Sequence, residues 1–424
     1  MRAFATRRLA AACAMALASA PAEARELWSD GERSVALRTS LKASLAPSKA
    51  PDDPEIYPEP ESLASLWRLR LDLTARPDAA VTAGAAYEHR LRVVSQGAGL
   101  AGAGVLPPES PPFYRLRPLD WPVMGVGAEV PGASWRHEID RAFVAWHAGG
   151  AEITVGRQAV GLGRGVLFGA VDLFAPFSPL EADREWRRGV DAVRADVKLA
   201  DRWSLDGVAA FGESLRGSAL VARLRGYAGE VDGELVLGWR ARDLVAGLVS
   251  SAAVGDAEVH GEVAVYRTPE PYPGGLGAAA RVVPKAVAGG SWRIPVGQGL
   301  PVFLEWHWSG FGMADPADAI ARLADPAFLV RYLRGDTQIL GQQVAALLAT
   351  YEADAELTLS LLGLVSTRDA SGVAAPGVTL RLGDRVTVQA SLYLPWGARP
   401  VGLELRSDYG AVPFSAFVQA AVYD

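Results

Sequence analysis

Cysteine is almost missing from this chain of 424 residues: Cys13 is the only one. A thiolate metal site or a framework of disulfides is therefore excluded. Histidine is scarce too, and His89, His137, His147, His260 and His307 are scattered with no His-Glu-x-x-His among them. No Gly-x-Ser-x-Gly elbow occurs either, so no hydrolase motif is present and no enzyme is expected. A basic excess is lacking, with 42 Lys and Arg against 48 Asp and Glu, which argues against a nucleic-acid partner. Gly161-Leu162-Gly163 and Gly125-Val126-Gly127 are too sparse for a dinucleotide fingerprint. Neither cofactor nor metal is expected.

Long apolar runs are missing as well. Half of the residues are apolar, yet beyond the first two dozen no uninterrupted run approaches the roughly 20 residues a membrane-spanning helix needs. Those first residues read as an export signal: Arg2, Arg7 and Arg8 precede the short apolar run Leu9 to Ala20, and Ala22-Glu23-Ala24 offers small residues to a signal peptidase. Residues 1–24 are thus expected to be removed, leaving 25–424 as one β-barrel domain. Removal takes away three arginines and one glutamate and moves the formal net charge from −6 to −8.

What the chain has is alternation. Trp67, Leu69, Leu71 and Leu73 interleave with Arg68, Arg70, Asp72 and Thr74. On a strand these sets face opposite ways, one oily and one charged. The pattern recurs with Glu88, Arg90 and Arg92, then with Arg223 and Arg225, Arg240 and Arg242, Glu258 and Glu262, and Glu305 and His307. Segments of about 9 to 12 residues suit a tilted strand crossing a bilayer, whereas soluble strands are nearer 5 or 6.

Eighteen such segments run from 33–46 to 412–423. Alternate connections are short, as at Arg76-Pro77-Asp78, Ala200-Asp201-Arg202, Gly255-Asp256 and Gly383-Asp384, while the long ones (47–62, 96–133, 161–188, 269–284, 311–337 and 398–411) fall on the other parity. The expected fold is all-β: a transmembrane antiparallel β-barrel of about 18 strands, with short periplasmic turns and long external loops. Sixteen strands would keep the same parity. Within 314–335, Asp315-Pro316 and Asp325-Pro326 each look like a capping Asp followed by a first-turn Pro, and Gly335 like a helix stop. Two short helices in an external loop are expected, either as packing or as a gate.

One stretch is more specific. It contains Gly156-Arg157-Gln158, the run Gly161-Leu162-Gly163-Arg164-Gly165, Asp172-Leu173-Phe174-Ala175-Pro176-Phe177 and Arg187-Arg188-Gly189-Val190-Asp191-Ala192. These forty residues resemble a group of Gram-negative outer-membrane porin-like proteins related in style to the alginate-export barrels. The resemblance implies a loop that folds inward and narrows a pore. Leu162 stands where many such proteins have Trp, and the chain ends Tyr423-Asp424 where many end in Phe, the usual signal to the barrel-assembly machinery.

On that reading the constriction would carry Arg157, Arg164, Asp172, Glu181, Asp183, Arg184, Glu185, Arg187 and Arg188, and the lumen Arg68, Arg70, Asp72, Glu88, Arg90, Arg92, Arg223, Arg225, Arg240 and Arg242. Opposed charges there would either focus a transverse field on a solute or pair with one another to hold the loop. A channel for small polar or charged solutes is the first expectation. Export of an anionic polysaccharide and a closed barrel acting as scaffold or adhesin are the rivals. The bilayer partners would be outer-membrane lipid and lipopolysaccharide.

Overall fold

The computed structural model describes residues 24–95, 105–106, 113–116, 132–277 and 279–424. The expected export signal, Cys13, Gly125-Val126-Gly127 and most of the 96–133 connection lie outside the described residues. The strands are β1 (Arg25–Ser29), β2 (Ser34–Lys49), β3 (Glu61–Asp78), β4 (Val81–Val94), β5 (Ala133–Ala148) and β6 (Ala151–Gln158). They continue as β7 (Val190–Ala200), β8 (Trp203–Ala210), β9 (Ala219–Ala228), β10 (Val231–Arg240), β11 (Asp243–Val254), β12 (Ala257–Arg267) and β13 (Val282–Ile294). The last are β14 (Leu300–Ser309), β15 (Gln343–Glu352), β16 (Leu357–Val365), β17 (Gly372–Leu382), β18 (Val386–Trp396) and β19 (Phe414–Tyr423).

From β2 to β19 each strand pairs antiparallel with the next, and β19 returns to β2 with Phe414 opposite Lys49 and Tyr423 opposite Ser40. The result is a closed 18-stranded antiparallel barrel, as expected. Closure leaves no barrel strand with an open edge over its paired length. The strand β1 is an addition that alternation does not reveal. It pairs with Ser34 to Leu37 of β2, just past the point where Asp424 exchanges backbone hydrogen bonds with Thr39. There β2 outruns the last strand, and the N-terminal hairpin occupies the edge left over.

Parity decides which side chains see lipid. In β3, Trp67 is 49% exposed and Arg68 only 4%. Outward positions across the wall are large and apolar, as in Leu71, Leu73, Val144, Trp146, Leu205, Leu237, Leu248, Val263 and Leu304. A closed barrel with a continuous apolar outer surface is a membrane structure, since water would make that area costly to expose. The fold is that of an outer-membrane barrel, with tight turns at one rim and long loops at the other.

The two helices expected in 314–335 are present as α1 (Ala319–Ala324) and α2 (Pro326–Arg334). The Asp325 carboxylate accepts from Ala327 N, and Gly335 takes a left-handed φ of 83° where a side chain would be strained. Asp315 caps a single 3-10 turn before α1 in the same manner.

Candidate functional site: a loop folded into the barrel

The segment between β6 and β7 turns inward rather than out. Val160, Leu162, Leu167, Phe168, Ala170, Val171, Leu173 and Phe174 are all buried, packed on inward residues of the wall such as Val245, Val287, Val344 and Leu348. An apolar cluster inside a membrane barrel needs such a filler, because the wall alone encloses water.

Irregular backbone inside a barrel must satisfy its own N–H groups. Here eight consecutive ones, Arg164 to Val171, donate to side-chain oxygens. Glu262 of β12 accepts from Arg164 and Gly165 on Oε1, and from Ala170 and Val171 on Oε2 at 2.7 and 3.3 Å. Glu305 of β14 accepts from Val166 on Oε1, and from Leu167 and Phe168 on Oε2 at 2.9 and 3.1 Å. Gln338 Oε1 takes Gly169 N at 2.9 Å, and its Nε2 donates to Phe177 O at 3.0 Å. His260 completes the set, 3.0 Å from Glu305 Oε1. The glycine run has its reason here. A Cβ on Gly163 (φ +89°) would lie 2.5 Å from Glu262 Oε1, and one on Gly165 would lie 1.7 Å from Phe168 O. The loop is a latch closed on two wall carboxylates, each a charge-assisted acceptor.

A second anchor lies on the opposite wall. Lys42 Nζ reaches Asp183 Oδ1 at 2.8 Å and Glu185 Oε2 at 2.6 Å, and Arg68 Nη1 reaches Asp183 at 3.3 Å. Trp186 lies against three cations, with Lys42 Nζ 4.1 Å, Arg68 5.0 Å and Arg70 5.1 Å from its ring, an arrangement of cation–π contacts. The Tyr423 hydroxyl donates to Glu185 at 2.8 Å, so the penultimate residue holds the loop as well as the seam. Burial opposes the charge on Asp183, but Lys42 and Arg68 outweigh it and hold the carboxyl at about 2. Arg187 binds Asp172 at 2.7 Å within the loop, and Arg157 clamps Asp191 at the loop's root with bonds of 2.7 and 3.0 Å. Arg188 is half-buried at the loop's return, where burial and neighbouring Arg90 lower its guanidinium to about 10.

Most of the remaining lumen charges are joined. Glu88 accepts from Arg68, Arg70 and Arg90, the last two at 2.6 and 2.8 Å, and Arg70 also meets Asp72 and Asp140. Asp206 lies between Arg194 and Arg223 at 3.0 and 2.6 Å, Arg225 binds Asp196, and Arg164 meets Asp232 and Glu234. Arg240 binds Asp336, which also holds Arg331 and Arg334 of α2 at 2.9 and 2.6 Å, so this helix is tied to the barrel rim. Arg92 stands on β4 in phase with Glu88 and Arg90. Arg242 is placed differently from the lumen position expected of it. The strand ends at Arg240, Ala241 and Arg242 form a two-residue turn with positive φ, and Arg242 pairs with Glu270 at the outer rim.

Glu181 and Arg184 differ from the other loop charges. Arg184 donates to the backbone carbonyls of Glu181 and Pro179, and no carboxylate bridges it among the described residues. Burial raises Glu181 above the ordinary carboxylate range against the pull of Arg184, and Asp183 beside it adds to the rise. Both line a cavity of about 110 Å³ between the loop and the wall β15–β18, whose opposite side is Thr350, Thr358, Ser360, Thr379, Gln389 and Ser391. A second space of about 30 Å³ shares Arg184, Thr358, Thr379 and Gln389 and continues past Arg381 to Tyr423. Solute pockets usually reach 300 Å³ or more, so these spaces are narrow gaps rather than a cradle.

Sequence parity pointed Glu262 and Glu305 inward but gave no sign that they hold the loop. Lys42 and Trp186 were missed as anchors; only the phase of Lys42 with Ser40 and Ser44 could have placed it on the lumen.

The fold matches solved structures. Crystal structures of OccAB4 and OccAB1 from Acinetobacter baumannii are each 8% identical with a TM-score of 0.53, covering 92% and 96% of this chain and 97% and 99% of theirs. Pseudomonas aeruginosa OccK5 (OpdH) is 9% identical with a TM-score of 0.51, covering 91% of this chain and 97% of its own. At such identities the likeness is one of fold. No family model matches the chain, and no curated protein does.

Proposed function

We propose that this chain is a passive, porin-like channel of the Gram-negative outer membrane for small polar or charged solutes, with no catalytic role of its own. The passage between the inward loop and the β15–β18 wall carries this reading, because it joins loop charge on one side to a wall of hydroxyl, amide and apolar groups, with Arg381 at its far end, on the other. Such a lining strips little water from an ion or a small polar solute and steers it by the field of the unbridged Arg184. The likeness in fold to OccAB4, OccAB1 and OccK5 supports the class and leaves the solute open. The first 24 residues belong in this account as a cleaved export signal.

The rival reading, export of an anionic polysaccharide through an alginate-export-like barrel, needs a continuous row of free lumen arginines. Arg68, Arg70, Arg90, Arg223, Arg225 and Arg240 are instead engaged by carboxylates. The deciding experiment is single-channel recording of the refolded chain in a planar bilayer under a salt gradient. Steady open steps are expected. Well-folded, inserted protein that never conducts would exclude a passive channel and favour a closed scaffold.

A further inference from the structure

The wall carries two imidazoles where a barrel normally shows lipid only hydrocarbon and indole. In β4, Glu88 and Arg90 point into the lumen, so Tyr87, His89 and Leu91 face out. Register sets His89 opposite His137 and Leu91 opposite Trp135 on β5. The height of this group follows from the same strand. Trp135 and Trp146 are both exposed and stand eleven residues apart. Asp140 is bulged out of the ladder, so they span ten paired positions (Leu91 to Val81 on β4), which at ~3.3 Å per residue and a tilt near 40° is about 25 Å along the bilayer normal, the height of the ~25 Å apolar band between two aromatic girdles. Trp146 lies beside the tight β5–β6 turn, which puts Trp135 and the histidines at the external girdle.

The hydrogen bonds fix how the pair presents itself. Trp135 Nε1 lies 2.6 Å from His89 Nε2. An indole N–H only donates, so His89 Nε2 is the acceptor and the proton of the neutral ring sits on Nδ1. The Tyr87 hydroxyl engages His137 Nδ1, leaving Nε2 for the second ring's outward contact. The rings stand edge to face with centroids 4.3 Å apart. Two imidazole nitrogens, His89 Nδ1 and His137 Nε2, have no partner among the described residues. On a membrane-facing surface an unmade hydrogen bond is costly, and at girdle depth the anionic acceptors that compete best with interfacial water are the phosphates of lipid headgroups.

We propose that Tyr87, His89, Trp135 and His137 form a headgroup site on the outside of the barrel for the phosphate of an outer-leaflet lipid. With the Tyr87 hydroxyl donating to His137 Nδ1, the proton of the second ring sits on Nε2, and two adjacent N–H donors then match a phosphate with several acceptor oxygens, while Trp67, Leu69 and Leu91 beside them offer an apolar seat for the acyl chains. The proposal rests on the bilayer orientation argued above but not on conduction, so a channel that conducts normally leaves it open to separate failure.

The test is native mass spectrometry of the refolded chain, in detergent, with a bis-phosphorylated lipid A and with its dephosphorylated counterpart. The wild-type chain should retain one phosphorylated lipid at least about tenfold more than the dephosphorylated one, a gap of roughly 1.4 kcal/mol. His89→Phe/His137→Phe should abolish that preference with conductance and heat-resistant folding intact. Equal retention of both lipids by the wild type, or an undiminished preference in the double variant, overturns the proposal. A double variant that instead changes its number of copies would assign the surface to a second protomer and also overturn it. If the double variant folds poorly, the milder Trp135→Phe, which frees His89 Nε2, should still shift the imidazole ¹⁵N resonances; no shift would contradict the assigned tautomer.

Discussion

Two sectors of the lumen are built differently. The wall from β2 to β14 meets the loop with carboxylates and cations, and nearly every charge there is bonded to loop backbone or to an opposite charge. The wall from β15 to β18 meets it with Thr350, Thr358, Ser360, Thr379, Gln389 and Ser391, which make no ion pair and leave a space. The difference teaches that charge in this lumen is mainly mortar. Buried ions are tolerable only when paired, so a charged wall closes on its loop, whereas hydroxyls can face water without a partner. On the proposed reading, selectivity would fall to the few charges left unbridged beside the gap.

The comparison breaks most drastically if the latch is removed. Glu262→Ala with Glu305→Ala orphans seven backbone N–H groups, and we expect a loss of at least about 3 kcal/mol in loop anchoring. Conductance should rise severalfold and the loop should become protease-sensitive. Unchanged conductance and protection would show that packing alone holds it.

Next in size is Arg184→Glu, which inverts a loop cation that no carboxylate bridges among the described residues. The reversal potential in a salt gradient should move towards cations, more at low salt than at high. The same reversal at Arg223, already shared by Asp206 and Glu234, should move it less.

Acid should act in two steps. The raised Glu181 carboxyl gains its proton first as pH falls, which makes the passage more anion-selective and relieves the cost of burying that charge. Asp183, held at about 2 against roughly 3.9 when unfolded, contributes stability that is complete above the unfolded value and is lost as pH falls through about 2. Loop release should therefore appear only in strong acid, and Asp183→Asn should remove that pH dependence while weakening the anchor at neutral pH. Conductance traces against pH check both steps.

The smallest effect is expected on the hydroxyl wall. Ser360→Ala removes one of several equivalent acceptors and should change conductance only slightly, with selectivity unaltered. A large change would mean that the hydroxyls bind solute rather than merely face it.

Much of this was legible in the sequence. Alternation placed all eighteen barrel strands because a strand with lipid on one side and water or paired charge on the other has no other pattern available, and Asp315, Asp325 and Gly335 marked the helical stretch by local bonding alone. The strand Arg25–Ser29 escaped because what makes it is an edge vacated by Asp424, some four hundred residues away. The latch escaped for a similar reason. Glu262 and Glu305 read as inward carboxylates, but their partners are main-chain N–H groups, which no residue type announces. Arg184 looked like the other loop arginines, and only its lack of a carboxylate sets it apart.

The central claim is that the open path runs along the β15–β18 wall. Its most direct test is cysteine accessibility, which is clean because Cys13 lies in the expected export signal. Thr379→Cys and Val249→Cys would each be treated with a bulky methanethiosulfonate reagent during single-channel recording. The account predicts a stepwise loss of current for Thr379→Cys and none for Val249→Cys, whose site is buried behind the loop on β11. Block at Val249→Cys with an unaffected Thr379→Cys would place the path on the charged side and contradict it.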